Sequence, residues 1–411
     1  MLKKVLVSQV RLGMHVHALE GSWLKHSFWK SRFLLDAAAD LRQLMESGVK
    51  ECWIDVAQGR DIDQVASVAV APASPATITP PTLAAAAPAK PAAKSFSEEL
   101  TQAAAICKRG RAAVVSMFQE ARMGHAINAD ACQPLVEEIT TSVLRNSGAL
   151  VSLARLKTKD DYSYMHSVAV CALMIALGRQ LGMDDAECRA AGLAGLLHDI
   201  GKALVPLAIL NKPGKLSDEE FVVMRTHPQR GHAVLLEGQG AGAAALDVCL
   251  HHHERMDGKG YPFGLTANAI TQLARMGAVC DVYDAITSNR PYKAGWNPAE
   301  SIAQMASWKG HFDPTIFGAF VRSLGIYPTG SLVRLESGKL AVVVEQNALT
   351  LTSPVIKAFY STRTKMPITP LLIDLAKQSY ERIVGRESPA EWGFAHLDEF
   401  WLPAGVLKRS R

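Results

Sequence analysis

Histidines and acids are spaced along the middle of the chain in a pattern that suits metal chemistry. The stretch LLHDIGKALV at residues 196–205 places His198 and Asp199 side by side in an otherwise apolar run. Burying an imidazole beside a carboxylate is costly unless something pairs with both. A divalent cation is the natural partner, and a buried His–Asp hydrogen bond at a packing corner is the competing reading. On one helix, neighbouring side chains point about 100° apart, so two adjacent ligands can grip one ion, or one of them can bridge two.

The remaining candidates sit in similar company. His166 lies in DDYSYMHSVAV, His227 in MRTHPQRGH, and Asp281 in GAVCDVYDAITSNRPYK. His252 and His253 precede Glu254 in HHHERMDGKGYPFGL. Five histidines and two aspartates on five separated helical segments could converge in one bundle interior. Imidazole with carboxylate suits iron, manganese, zinc or nickel better than calcium or magnesium, which prefer oxygen. Of the thirteen histidines, His15, His17, His26, His125, His311 and His396 lack polar company of ligand type and read as structural or surface residues. His232 reads as a helix-face residue and His251 as a bystander in the triple run. Asp284, one turn from Asp281, could orient a ligand or donate a proton. Glu254 reads as support for a histidine.

These residues need helices to carry them, and the chain supplies helical patterns in its centre. Residues 1–65 read as a small α+β domain with one helix, LLDAAADLRQLMESG. Residues 66–96 are rich in Ala and Pro, with six prolines in VASVAVAPASPATITPPTLAAAAPAKPAAK, and read as a linker. Residues 97–149 form a helical lead-in, with Ser97 as a plausible N-cap. Residues 150–327 form the domain that holds the histidines. Helices are expected near 97–122, 129–147, 160–181, 184–199, 217–236, 243–254, 270–287 and 297–309. Gly148, Gly182 and Gly258 read as helix stops. In the tail, 328–411, SLVRL and LAVVVE flank ESGK as a hairpin, and PVIKAFYS is a candidate third strand.

Composition narrows the class. Of 411 residues, 48% are hydrophobic and 20% charged, the balance of a soluble chain that buries a core. The longest uncharged apolar run in the structured part is VAVCALMIAL, ten residues, too short to span a bilayer. The start, MLKKVLVSQVRLGM, does not read as a signal peptide. Seven cysteines without a CxxC pair read as reduced thiols in a cytoplasmic protein. A net charge of +5 with no basic stripe argues against a nucleic-acid polymer as partner.

The H…HD…D pattern of His166, His198-Asp199 and Asp281 resembles that of the HD phosphohydrolase superfamily. With HDIGK at 198–202, HHE at 252–254 and GYP at 260–262, residues 150–325 resemble its HD-GYP branch. The segment before the linker resembles the small domain often found ahead of HD-GYP regions. The resemblance implies a mainly α, helical-bundle HD-type catalytic domain with a small α+β N-terminal domain and a short C-terminal β segment. It implies metal-dependent hydrolysis of the bacterial messenger cyclic di-GMP to linear pGpG, and on to GMP in some relatives. The implied metal ligands are His166, His198, Asp199, His227, His252, His253 and Asp281, with Asp199 bridging. Asp199 and Lys202 carry the catalytic roles, and Tyr261, Arg290 and Lys293 the substrate contacts. Two divalent transition metals are expected, iron or manganese. Relatives with a third metal carry a glutamate four residues before the first histidine. Here that position is Tyr162, and Asp160 and Asp161 point away from the His166 face of a regular helix. The alternatives are a non-catalytic reader of cyclic di-GMP and a phosphodiesterase for another cyclic dinucleotide. A homodimer is an open expectation, and the sequence does not identify partners for residues 1–65.

Overall fold

The computed structural model describes residues 2–19, 33–35, 41–42, 44–45, 51–60, 95–156, 162–288, 295–347, 349–403 and 406. The chain divides into two compact units, 1–86 and 87–411.

In the first unit, β1 (Leu2–Leu6), β2 (His15–Leu19), β3 (Phe33–Leu34) and β4 (Glu51–Asp55) form one antiparallel sheet in the order β1-β4-β2-β3. Alternation decides the faces: along β4, Cys52 and Ile54 are buried while Trp53 is exposed. Val5, Val10, Met14, Val16, Leu35 and Leu44 complete a core of this unit's own. Most of the helix expected at LLDAAADLRQLMESG, and residues 66–94 of the expected linker, lie outside the described residues.

The second unit is helical and then β. Its first helix, α1 (Phe96–Arg122), is capped by Ser95 in a reciprocal pair with Glu98, not by Ser97 as expected. The helix expected over 129–147 is broken. After α2 (Gln133–Arg145), Asn146 turns extended and its side chain accepts from the backbone N–H of Gly148. That cap starts α3 (Ser147–Ala154), so Gly148 opens a helix where a stop was expected. Helix α4 (Tyr162–Gln180) is apolar all round because it is the central core helix; Val168 to Leu177 are all buried. Against it packs α5 (Asp185–Leu197), capped by Asp184.

Two short helices, α6 (Leu207–Leu210) and α7 (Asp218–Met224), precede α8 (His227–Glu237). The expected helix over 217–236 is therefore two, because Pro228 fits only in a first turn. Then follow α9 (Ala243–His251), α10 (Gln272–Thr287), α11 (Pro298–Ser307) and α12 (Pro314–Leu324), the last not foreseen.

The tail is the expected β segment, a sheet of five antiparallel strands in the order β8-β7-β6-β5-β9. The hairpin of β5 (Leu332–Leu335) and β6 (Lys339–Glu345) pairs Leu332 with Val342, and β7 (Val355–Ser361) is the expected third strand. Strands β8 (Met366–Asp374) and β9 (Ile383–Arg386) were not legible. Strand β8 is an edge strand, largely exposed on both faces, and carries Pro367 and Pro370, so it shows no apolar alternation. One face of the sheet joins the helical core through Leu332, Leu340, Val342 and Phe359. Among the described residues, no helix is long and apolar enough to cross a membrane.

Candidate metal centre

The His198-Asp199 pair does not lie within a helix, as its apolar surroundings suggested, but at a helix end. Helix α5 stops at Leu197; His198 is its C-cap, and Asp199 leaves the helical basin at φ −103°, ψ 10°. A 3₁₀ turn, Ile200–Leu204, follows. Three residues per turn place Lys202 directly over Asp199, and Lys202 Nζ lies 2.5 Å from Asp199 Oδ2. Gly201 lets this turn sit against the start of α8. A Cβ there would meet the His227 carbonyl at 1.9 Å and the Gly231 nitrogen at 2.5 Å, so no larger residue fits. That contact brings His227 to Asp199.

Asp199 stands between two clusters. Its Oδ2 is 3.4 Å from His166 Nε2 and 3.4 Å from His198 Nε2. Its Oδ1 is 3.3 Å from His227 Nε2 and 3.7 Å from His252 Nε2. Asp281 Oδ1 adds to the first cluster, 2.9 Å from His166 Nε2, and its Oδ2 lies 3.7 Å from His253 Nδ1. Ligand atoms of Asp199, His227, His252 and His253 all lie within 4.8 Å of one another, as do those of His166, His198 and Asp199. The centre is buried except at His253 and Lys202, whose side chains are each 21% exposed.

Backbone carbonyls orient the imidazoles. The Nδ1 of His198 lies 2.8 Å from the Gly195 carbonyl, that of His227 2.8 Å from Met224, and that of His252 2.9 Å from Val248. A carbonyl only accepts, so each Nδ1 carries the proton, and in the neutral ring Nε2 presents a lone pair. His227 Nε2 and His252 Nε2 then face each other at 3.3 Å, lone pair to lone pair, beside an anionic oxygen. Among the described residues, His198 Nε2 and Asp199 Oδ1 are buried without a hydrogen-bond partner. Electron pairs converging in a buried interior call for a cation, and this donor set fits divalent metals. His166 is held by a charge instead: its Nδ1 lies 2.5 Å from Asp284 Oδ2.

Burial alone would raise Asp199, but Lys202 and His198 outweigh it and hold the carboxyl well below its ordinary range. Burial would likewise raise Asp281, and the His166 hydrogen bond and the charge of His253 more than reverse that. Burial, with His198 beside it, pushes His252 down to about 3, and burial with His252 lowers His253 strongly. Burial opposes charge on His166 too, yet its hydrogen bonds to the carboxylates of Asp281 and Asp284 raise it, so this ring, unlike His252 and His253, favours its charged form.

The GYP segment forms the wall. Tyr261 stacks on His253, ring centroids 4.5 Å apart and planes at 26°. Gly260 passes so close to the chain that a Cβ would lie 2.5 Å from the Arg255 nitrogen and from Glu254 Cα. Glu254 supports this loop and not a histidine, a correction to the sequence reading: its carboxylate accepts from the N–H groups of Phe263 at 2.7 Å and Leu265 at 2.9 Å. Gly258, at φ +72°, turns this loop and does not stop α9, which ends at His251. His251 pairs with Asp247 at 2.8 Å, away from the centre. Arg290, Lys293, Asp160 and Asp161 lie outside the described residues, as does the side chain of Tyr162. The sequence reading passed over Arg225, whose guanidinium lies over Tyr261; a basic residue two before His227 was its only signal.

Residues 145–316 match the family model described as HD domain, and residues 2–132 match the Domain of unknown function (DUF3391). The Pseudomonas aeruginosa protein named Cyclic di-GMP phosphodiesterase PA4108 is 57% identical over 403 residues, which are 98% of this chain and 96% of that protein. The chain belongs to the HD-GYP family. Other relatives match over shorter spans. Cyclic di-GMP phosphodiesterase response regulator RpfG of Xanthomonas campestris pv. campestris is 42% identical over 180 residues, 42% of this chain and 47% of its own. The 3'3'-cGAMP-specific phosphodiesterase 1 of Vibrio cholerae is 35% identical over 167 residues, 40% of this chain and 38% of its own.

Proposed function

We propose that this HD-GYP protein is a metal-dependent phosphodiesterase that opens cyclic di-GMP to linear pGpG. The observation that carries this reading is Asp199, with one carboxylate oxygen in each of two histidine clusters. The 57% identity to a cyclic di-GMP phosphodiesterase over nearly the whole chain supports the substrate. In this reading His166, His198, Asp199, His227, His252, His253 and Asp281 would hold two ions, iron or manganese. Bound divalent metals supply Lewis acidity toward a phosphoryl oxygen and activate water for attack.

The chain's own groups do the rest. The carbonyls of Gly195, Met224 and Val248 fix three imidazoles with Nε2 inward, and Asp284 does so for His166 by charge. Lys202, at the open edge, offers N–H donors to a phosphate oxygen and offsets the negative charge added at phosphorus. Tyr261 covers His253 and keeps its proton, since burial pushes the phenol well above its ordinary value. All seven cysteines are free and buried, which suits a reducing compartment, and we assign the activity to the cytoplasm.

A second substrate, 3'3'-cGAMP, has support from the relatives specific for it. Full-length protein purified without chelator should be assayed against both cyclic dinucleotides, with products separated by chromatography. Faster turnover of cyclic di-GMP, with pGpG as first product, is the expected result. Binding without turnover in metal-replete protein, or preference for 3'3'-cGAMP, would refute it.

A further inference from the structure

One cation at the mouth of the centre has no task in the assignments above. Arg225 ends α7, two residues before His227, and is exposed. Its guanidinium carbon lies 4.6 Å from the Tyr261 ring centroid and 5.9 Å from that of Phe221. Tyr261 in turn lies on His253. Among the described residues, no carboxylate pairs with Arg225 and no acceptor takes its side-chain N–H groups. Two aromatic rings therefore position the guanidinium while leaving its planar fork of donors unspent. Such a fork, held beside a metal centre, suits an oxyanion.

We propose that Arg225 binds the phosphate of the cyclic dinucleotide that is not being cleaved, an inference that rests on the cyclic di-GMP reading above. The phosphate under attack must enter the cluster, where Lys202 already stands beside Asp199. Arg225 meets that cluster by way of Tyr261 and is open to solvent. A cyclic dinucleotide carries its second phosphate on the opposite side of the same ribose–phosphate ring, so one phosphate can stay at the mouth while the other is inside. A simple phosphodiester has no second phosphate, so Arg225 discriminates in favour of the ring.

The test compares full-length, metal-loaded wild type, Arg225→Ala and Arg225→Lys on cyclic di-GMP and on bis(4-nitrophenyl) phosphate, a diester with one phosphate. Metal content is measured in each sample. Arg225→Ala should raise KM for cyclic di-GMP roughly ten- to a hundredfold, the loss expected for a charge-assisted contact, with a smaller change in kcat. The loss on bis(4-nitrophenyl) phosphate should be several-fold smaller. Arg225→Lys should recover part of the affinity. An unchanged KM for cyclic di-GMP would overturn the inference. So would equal losses on both substrates, which would show that Arg225 acts through Tyr261 or the metal ligands. A lysine variant as weak as the alanine variant would point to stacking in place of charge and would also overturn it. Wild type that cleaves the simple diester but not cyclic di-GMP would sink the substrate reading, and this inference with it.

Discussion

Asp284→Asn isolates the charge behind His166. Asp284 is 2% exposed, and its Oδ2 lies 2.5 Å from His166 Nδ1. The substitution retains the shape and one acceptor oxygen and removes the negative charge. A hydrogen bond to a charged group contributes about 1.5–3 kcal/mol, and a neutral one about 1 kcal/mol. The difference, about 0.5–2 kcal/mol, corresponds to roughly two- to thirtyfold in metal affinity at the His166 side. Partners of ligating histidines ordinarily change affinity about ten- to a hundredfold when altered, so a value near tenfold is expected. The assay is chelator competition on metal-free protein reloaded with manganese, with circular dichroism to show that the fold is kept. Ser288→Ala is the internal comparison, since Ser288 Oγ reaches the other Asp284 oxygen only at 3.3 Å, and its effect should be smaller. A loss below about twofold for Asp284→Asn would refute the claim that this carboxylate governs the ligand.

Three further predictions follow from the same geometry. Asp199→Ala should abolish turnover and deplete metal, because its two oxygens face separate clusters; near wild-type turnover in metal-replete protein would end the assignment. Glu254→Gln, which has one acceptor oxygen for the two N–H groups of Phe263 and Leu265, should destabilise the protein by about 1–3 kcal/mol in chemical denaturation; an unchanged midpoint would show that the loop stands without it. Metal-free protein should lose stability on acidification. His252 has a folded pKa of about 3 against an ordinary 6.5, and His253 is lowered too, so over that window the unfolded chain binds protons that the folded one does not. His166, raised by Asp281 and Asp284, acts in the opposite direction but is one group against two. The melting temperature should therefore fall from about pH 7 to about pH 4.5, and a flat or rising profile would contradict this.

Residue type and local order were enough to mark residues that the fold brings together. His198-Asp199 and Asp281 stand out because a buried imidazole or carboxylate must be paired, and a polar residue in an apolar helical run shows that need without any structure; His166, His227, His252 and His253 were picked out with them by the acids nearby and by the resemblance. The central helix and the β5–β6 hairpin were legible for similar reasons, being apolar runs and turns of local origin. Tertiary structure decided what depends on distant backbone. The carbonyls of Gly195, Met224 and Val248 that orient the imidazoles carry no side-chain signature. The break that puts Asp199 outside α5, and the Gly201 contact that brings His227 to it, arise where two segments pack. Glu254 was misread because its partners, Phe263 and Leu265, meet it only after the loop folds back. Arg225 was passed over because only the fold brings Tyr261 to its guanidinium. The edge strand β8 showed no pattern because neither of its faces is consistently buried, and alternation is written into a sequence only where one face must leave water.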